Sequence, residues 1–270
     1  MARRKTASQR RKAAEQNKAI WKIASVVAAL GVIAFLYSKA LLSHKSLDEL
    51  TLCPPEPSSV TVLLVDVTDP MNLPQRQDFL NQLERLSASI PRYGKLVIAK
   101  VDPVSDRLLA PIITRCNPGT AKDESELSGN PQRVAKLHGE QYEAPLRAAY
   151  ANLLTATGAD RSPILESIQS VALTELQRSG EIPKRLVVAS DLLQYTDSIS
   201  FYRGLPHPSE FTSSQPFARA RTDLRGIDVE LWMLQRGDSV TTQPRALPDL
   251  WDQIISAQGG TLTRLYTVSG

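Results

Sequence analysis

The run Val60-Thr61-Val62-Leu63-Leu64-Val65 is apolar but for one threonine, and it stops on Asp66-Val67-Thr68-Asp69-Pro70. An apolar run of this length without polar alternation reads as a strand covered on both faces, which requires a sheet between two layers of helices. Such sheets are wound from strand–helix–strand units and bind ligands beyond the carboxyl ends of their strands. Asp66, Thr68 and Asp69 stand at such an end.

The following segments supply the layers this strand needs. Phe79, Leu83, Leu86 and Ile90 recur at helical spacing and predict a helix over Pro74 to Ile90 with one face against a sheet. Lys95 to Val101 is a second strand, so strand, helix and strand follow in the order of a parallel sheet. Leu108 to Ile113 reads as a short edge strand or helix, and residues 120–129 as polar loop. Asn130-Pro131 is a cap and a first-turn proline, opening a helix that reaches Thr155 with a kink at Pro145. Ser162-Pro163 is a second start of the same kind, before Ile164, Leu165, Ile168 and Val171. The strand Arg185 to Ser190 then delivers another acid, Asp191, at its carboxyl end.

Residues 192–215 form a long irregular segment carrying Tyr195, Phe201, Tyr202, His207 and Phe211. Loops of this length are uncommon unless they serve a function, so its aromatics, with Asp69, are candidate partner contacts. A helix from Pro216 to Leu224, a strand Ile227 to Leu234, a helix Leu247 to Ala257 and a strand Thr261 to Val268 complete the pattern. The expected fold is α/β: a doubly wound, mostly parallel sheet with helices on both faces, over residues 59–270.

The amino-terminal part is a separate object. Eight of the 32 basic residues lie before Ile23 against one of the 28 acids, which leaves 24 basic and 27 acidic residues beyond it. The remainder therefore has no basic footprint for nucleic acid. Residues 1–22 form a basic segment, and 23–42 form an apolar stretch that as a helix would measure about 30 Å, enough to cross a bilayer core. Trp21 and Tyr37 stand near its ends, and the heavier positive charge on the amino side predicts a cytoplasmic amino terminus, with the rest exported to the periplasm or cell exterior. A cleaved signal peptide ending near Ser38-Lys39-Ala40 is the competing reading. The basic segment would also meet anionic lipid head groups.

Residues 43–58, with Cys53-Pro54-Pro55-Glu56-Pro57, read as a stiff spacer. In an oxidising compartment a Cys53–Cys116 disulfide would close a loop of on the order of 60 residues, worth about 4 kcal/mol in the chain-entropy model. In a reducing cytosol the same cysteines would be two unrelated buried thiols. His44, His138 and His207 show no metal-ligand spacing with them.

Taken jointly, Asp66-x-Thr68 after the first buried strand, Ser162 before a central helix and Asp191 after a later strand resemble the von Willebrand factor type A (vWA) domain. The resemblance implies a metal-ion-dependent adhesion site, with Asp66 and Thr68 in the first motif, Ser162 as the middle-loop hydroxyl and Asp191 as the last acid. The ion it implies is Mg2+, which takes near-octahedral oxygen ligands and tolerates retained waters. Where the family has a third hydroxyl this chain has Pro70, which offers no ligand atom. Taken singly, Ser162 equally reads as a helix cap, and Asp66 and Asp191 as acceptors for loop amides.

Three functions follow as expectations. The first is a membrane-anchored interaction module, no enzyme, that binds other envelope or membrane proteins at the carboxyl edge. The second is a metal-dependent phosphoryl hydrolase. Thr68 stands where a haloacid-dehalogenase-like pattern wants a second aspartate, and no phosphate loop, His-Glu-x-x-His pair or nucleophile elbow is present. The third is a purely structural subunit of a membrane assembly, its anchor packing through Ala28-Ala29-Leu30-Gly31.

Overall fold

In strand β1 (Val60–Val65) all six residues are buried. Successive side chains of a strand point to opposite faces. Val62 and Leu64 enter one core with Ile164, Ile168, Leu250 and Trp251, while Leu63 and Val65 enter another with Phe79, Leu83, Tyr142 and Leu146. An alternating strand would have supported one of these cores; the unbroken run supports both.

The computed structural model describes residues 20–35, 37–38, 46–66, 71–103, 108–124, 130–153, 160–236 and 243–268. The chain divides into two compact units, Met1–Ser46 and Leu47–Gly270. In the second, β1 is joined by β2 (Lys95–Lys100), β3 (Ile113–Cys116), β4 (Lys184–Ser190), β5 (Ile227–Leu234) and β6 (Thr261–Val268) in the order β3-β2-β1-β4-β5-β6. Every neighbouring pair is parallel except β2 with β3. The chain winds outward from β1 to one edge and then outward from β4 to the other, so the order reverses between β1 and β4. Their carboxyl ends flank the crevice where sheets of this type gather ligands.

Helices cover both faces. α1 (Leu73–Ser89) begins with a capping box, Asn72 accepting from the Gln75 amide and Gln75 accepting from the Asn72 amide. The helix expected from Asn130-Pro131 is present, with Asn130 capping the Arg133 amide, but it runs as α2 (Pro131–Leu137), a π-helical turn (His138–Glu143) and α3 (Ala144–Leu153). The interruption has a local cause. Pro145 has no N–H for the carbonyl four residues back, Gln141, which accepts from Arg115 Nε of β3 at 3.2 Å. On the other face lie α4 (Ile164–Val171), which runs into a second π-helical turn (Ala172–Leu176), then α5 (Pro208–Thr212), α6 (Gln215–Ala220) and α7 (Leu247–Ala257).

Two local expectations are corrected. The edge strand is not at Leu108 to Ile113 but at Ile113–Cys116, antiparallel to β2. Its outer side is fixed at the amino end of the sheet by the Cys53–Cys116 disulfide and by the Cys116 amide, which donates to Thr51 O at 2.8 Å. The long segment after Asp191 contains the five-residue helix α5, built on the buried Phe211.

In the first unit residues 20–35 and 37–38 are helical and exposed. Two of its serines satisfy their hydroxyls on their own helix, Ser25 on Lys22 O and Ser38 on Phe35 O. Among the described residues no helix is long and apolar enough to cross a membrane. Of the stretch 23–42 expected to span, Leu36 and residues 39–42 lie outside the described residues.

Candidate functional site

Asp66 leaves β1 with its amide still on the ladder, donating to Ala189 O of β4 at 2.8 Å, so its carboxylate is held at the carboxyl edge and is 4% exposed. Oδ2 of Asp66 accepts from Ser162 Oγ at 2.6 Å and from Ser190 Oγ at 2.9 Å. Ser190 is the last residue of β4 and arrives here because the parallel register sets Val65 against Ala189.

Ser162 is not the helix cap that its place before Pro163 suggests. The Leu165 amide of α4 is capped by Gln194 Oε1 at 2.9 Å, from the loop after β4, and the Ser162 hydroxyl is committed to Asp66. Gln194 is fixed in turn by donating to Glu166 Oε2. Reciprocal backbone bonds between Ser162 and Tyr195, both 2.9 Å, lash the two loops together.

Asp191 is buried beside this pair. Its Oδ1 accepts from the Leu193 amide at 2.9 Å and its Oδ2 from Arg236 Nε at 2.5 Å, with Arg236 Nη2 closing an ion pair on the same oxygen. Burial pushes the Asp191 carboxyl up to about 6; the Arg236 guanidinium pulls it back down, and the charge of Asp66 adds to the rise. Leu192 between these contacts has φ of 63°, a strained conformation for a branched residue. Three contacts hold it there: its amide on Ser190 Oγ, its carbonyl under Trp251 Nε1, and a fully buried side chain.

Arg236 follows β5 and is fixed from several sides. Its amide donates to Gln243 Oε1 at 2.9 Å, and Gln243 Nε2 donates back to Asp191 O and Leu234 O. Its Nη2 reaches Tyr202 OH at 2.7 Å, and its guanidinium lies 5.4 Å from the centre of the Tyr202 ring. Tyr202 meets Tyr195 edge to face at 5.5 Å. The contacts close a ring: Asp66, Ser162, Tyr195, Tyr202, Arg236, Asp191, Ser190 and back to Asp66.

Of the residues singled out from sequence, Asp66, Ser162 and Asp191 come together, whereas Thr68 and Asp69 lie outside the described residues. Tyr195 and Tyr202 reach the surface, at 37% and 39% exposure. Phe201 does not, contrary to the expectation that it meets a partner: it is buried against Phe211 and Trp251, because an aromatic ring in this loop also closes the core over α7. Ser190, Arg236 and Gln243 were missed. The rule that strand carboxyl ends gather site groups, applied to the run Ile227 to Leu234 as it was to β1 and β4, leads straight to Gln235-Arg236.

The described residues of the set, Asp66, Ser162 and Asp191, do not fit Mg2+ as they are arranged. Among the described residues no group of three or more His, Cys, Asp or Glu side chains is disposed to hold an ion. Oδ2 of Asp191 carries the Arg236 guanidinium and Oδ1 the Leu193 amide. A dication about 4 Å from that guanidinium would be repelled by on the order of 8 kcal/mol at an effective dielectric of about 20, and of the two carboxylates Asp191 is already paired with it.

No protein-family model and no curated relative matches the sequence. Solved structures resemble it only distantly. The SpRpn10 VWA domain aligns at 9% identity and TM-score 0.40, over 77% of this chain and 87% of that one. The conserved hypothetical protein BatB from Bacteroides thetaiotaomicron aligns at 8% and 0.41, over 78% and 91%. Proximal thread matrix protein 1 from the mussel byssus, in a form with a zinc-occupied MIDAS motif, aligns at 10% and 0.38, over 79% and 42%. Likeness this distant assigns no role to any residue.

Proposed function

We propose that the chain is a membrane-anchored, vWA-like interaction module that docks a partner protein at the carboxyl edge of its sheet. In this reading residues 23–42 cross the cell inner or plasma membrane once. Residues 1–22 stay on the cytoplasmic side against anionic lipid, and residues 59–270 stand outside among other envelope or membrane proteins. No catalysis is assigned, since the two carboxylates a hydrolase would use are engaged by Ser162, Ser190 and Arg236.

The observation that carries the docking proposal is the distribution of exposed apolar side chains. Of the eight large ones among the described residues of the second unit, five (Leu73, Leu108, Ile112, Tyr195 and Tyr202) belong to segments at the carboxyl edge. Singly exposed apolar residues are ordinary, but two of these, Tyr195 and Tyr202, belong to the fixed polar ring itself, and aromatic anchors beside an arginine are the composition of a docking surface. The Cys53–Cys116 disulfide supports export, because such bonds persist in oxidising compartments. An exposed apolar helix whose serines bond to their own backbone supports the anchor.

A photo-crosslinking residue introduced in intact cells at Leu108 or Tyr195, and separately at Leu173 or Leu265 away from this edge, tests the docking. One discrete protein adduct from both carboxyl-edge positions and none from the other two is expected; adducts confined to Leu173 or Leu265 would sink the proposal. Alkaline extraction tests the anchor, and release of the intact chain from the membrane pellet would refute it.

A further inference from the structure

We infer that Arg236 is a built-in cation: its guanidinium takes the place on Asp191 that a divalent ion would need, the carboxyl edge is assembled without metal, and removing the guanidinium uncovers a latent metal site. The inference goes beyond the docking proposal and stands whether or not a partner binds there.

Three observations carry it. Two nitrogens of Arg236 converge on one oxygen of Asp191, so the position is filled by a full, permanent positive charge. That charge is not free to swing away. Gln243 ties the Arg236 amide to the carbonyl of Asp191 itself, and Tyr202 accepts from Nη2 and stacks on the guanidinium. Third, Pro70 has no side-chain oxygen where the resembled motif has a hydroxyl, a ligand that an ion would use and a guanidinium does not need. What remains beside Asp191 once the competing charge is gone, the Ser190 hydroxyl that links it to the Asp66 carboxylate and the Ser162 hydroxyl on Asp66, is a set of oxygens of the kind a hard cation takes.

The test uses the full chain in detergent, with Mn2+ as probe and unbound Mn2+ measured by electron paramagnetic resonance. Wild type should leave millimolar Mn2+ free, with no change in Tm. Arg236→Met and Arg236→Gln should each take up a single ion per chain at least tenfold more tightly than wild type, with a rise in Tm on adding Mn2+. Adding Asp66→Asn to either should abolish that uptake. Uptake by wild type that disappears in Asp66→Asn would overturn the inference. So would silence of both Arg236 variants when circular dichroism shows them folded. Should neither variant fold alone, refolding each in millimolar Mn2+ decides: recovery that Asp66→Asn abolishes supports the inference, and failure to recover overturns it.

Discussion

At the amino end of the sheet a disulfide ties the incoming chain at Cys53 to β3 at Cys116, and Lys95 Nζ pairs with Glu175 at 2.7 Å where both side chains keep some contact with water. At the carboxyl end the carboxylates of Asp66 and Asp191 are buried and joined through hydroxyls, with Arg236 and Tyr202 closing the site toward water. Both ends hold strained residues, Leu52 and Tyr93 at the first and Leu192 at the second. They differ in what happens when one member is lost. Water can solvate the partner left at the amino end, but a partner left at the carboxyl end is a buried charge with no compensation. One end is built for attachment and the other for presenting a preorganised polar surface.

The largest effect should come from breaking the carboxyl end. Arg236→Ala strands Asp191 and should cost about 3–5 kcal/mol in urea denaturation, since removing one partner of a buried pair leaves the other unpaired. A cost below about 1 kcal/mol would mean that water reaches Asp191 freely and would erase the contrast. Next, Cys53→Ser with Cys116→Ser should cost about 4 kcal/mol by the loop-entropy estimate for a 63-residue separation, while leaving the Arg236 dependence unchanged.

The pH dependence has a definite sign. Because Asp191 titrates near 6 in the folded chain, above its ordinary value of 3.8, the folded state binds its proton more tightly than the unfolded chain does. Its contribution is therefore most favourable below pH 3.8 and is lost as pH rises through 6, a change on the order of 3 kcal/mol. Denaturation of wild type against Asp191→Asn across that window isolates the effect; parallel curves would refute it. The smallest effect belongs to the amino end. Lys95→Met should change stability by less than about 1 kcal/mol, because the pair it removes is partly exposed.

Much of the fold was legible because it depends on local pattern. β1, β5, β6 and α7 begin and end where the apolar runs and their Pro or Gly boundaries say, since covering an unbroken apolar strand leaves few arrangements. The Asn130-Pro131 start is readable for the same reason, a cap being satisfied within one turn. The site was half legible. Asp66 and Asp191 end their own apolar runs, so each points to the carboxyl edge from sequence alone. Ser162 is ambiguous because its cap role could pass to Gln194, a residue 32 positions later than Ser162 in the chain that no local rule brings near α4.

The sequence by itself determined a two-faced α/β sheet, acids at the ends of its first and fourth strands, and an apolar helix-forming stretch behind a basic start. Only the tertiary structure decided what those acids meet. Parallel register set Ser190 beside Asp66, the return of β5 brought Arg236 onto Asp191, and packing over α7 drew Phe201 inward while leaving Tyr195 and Tyr202 outside. The physical reason is one of range. Burial and helix or strand period act between near neighbours, whereas the partner of a buried charge is chosen by whichever distant side chain the finished fold places within a hydrogen bond of it.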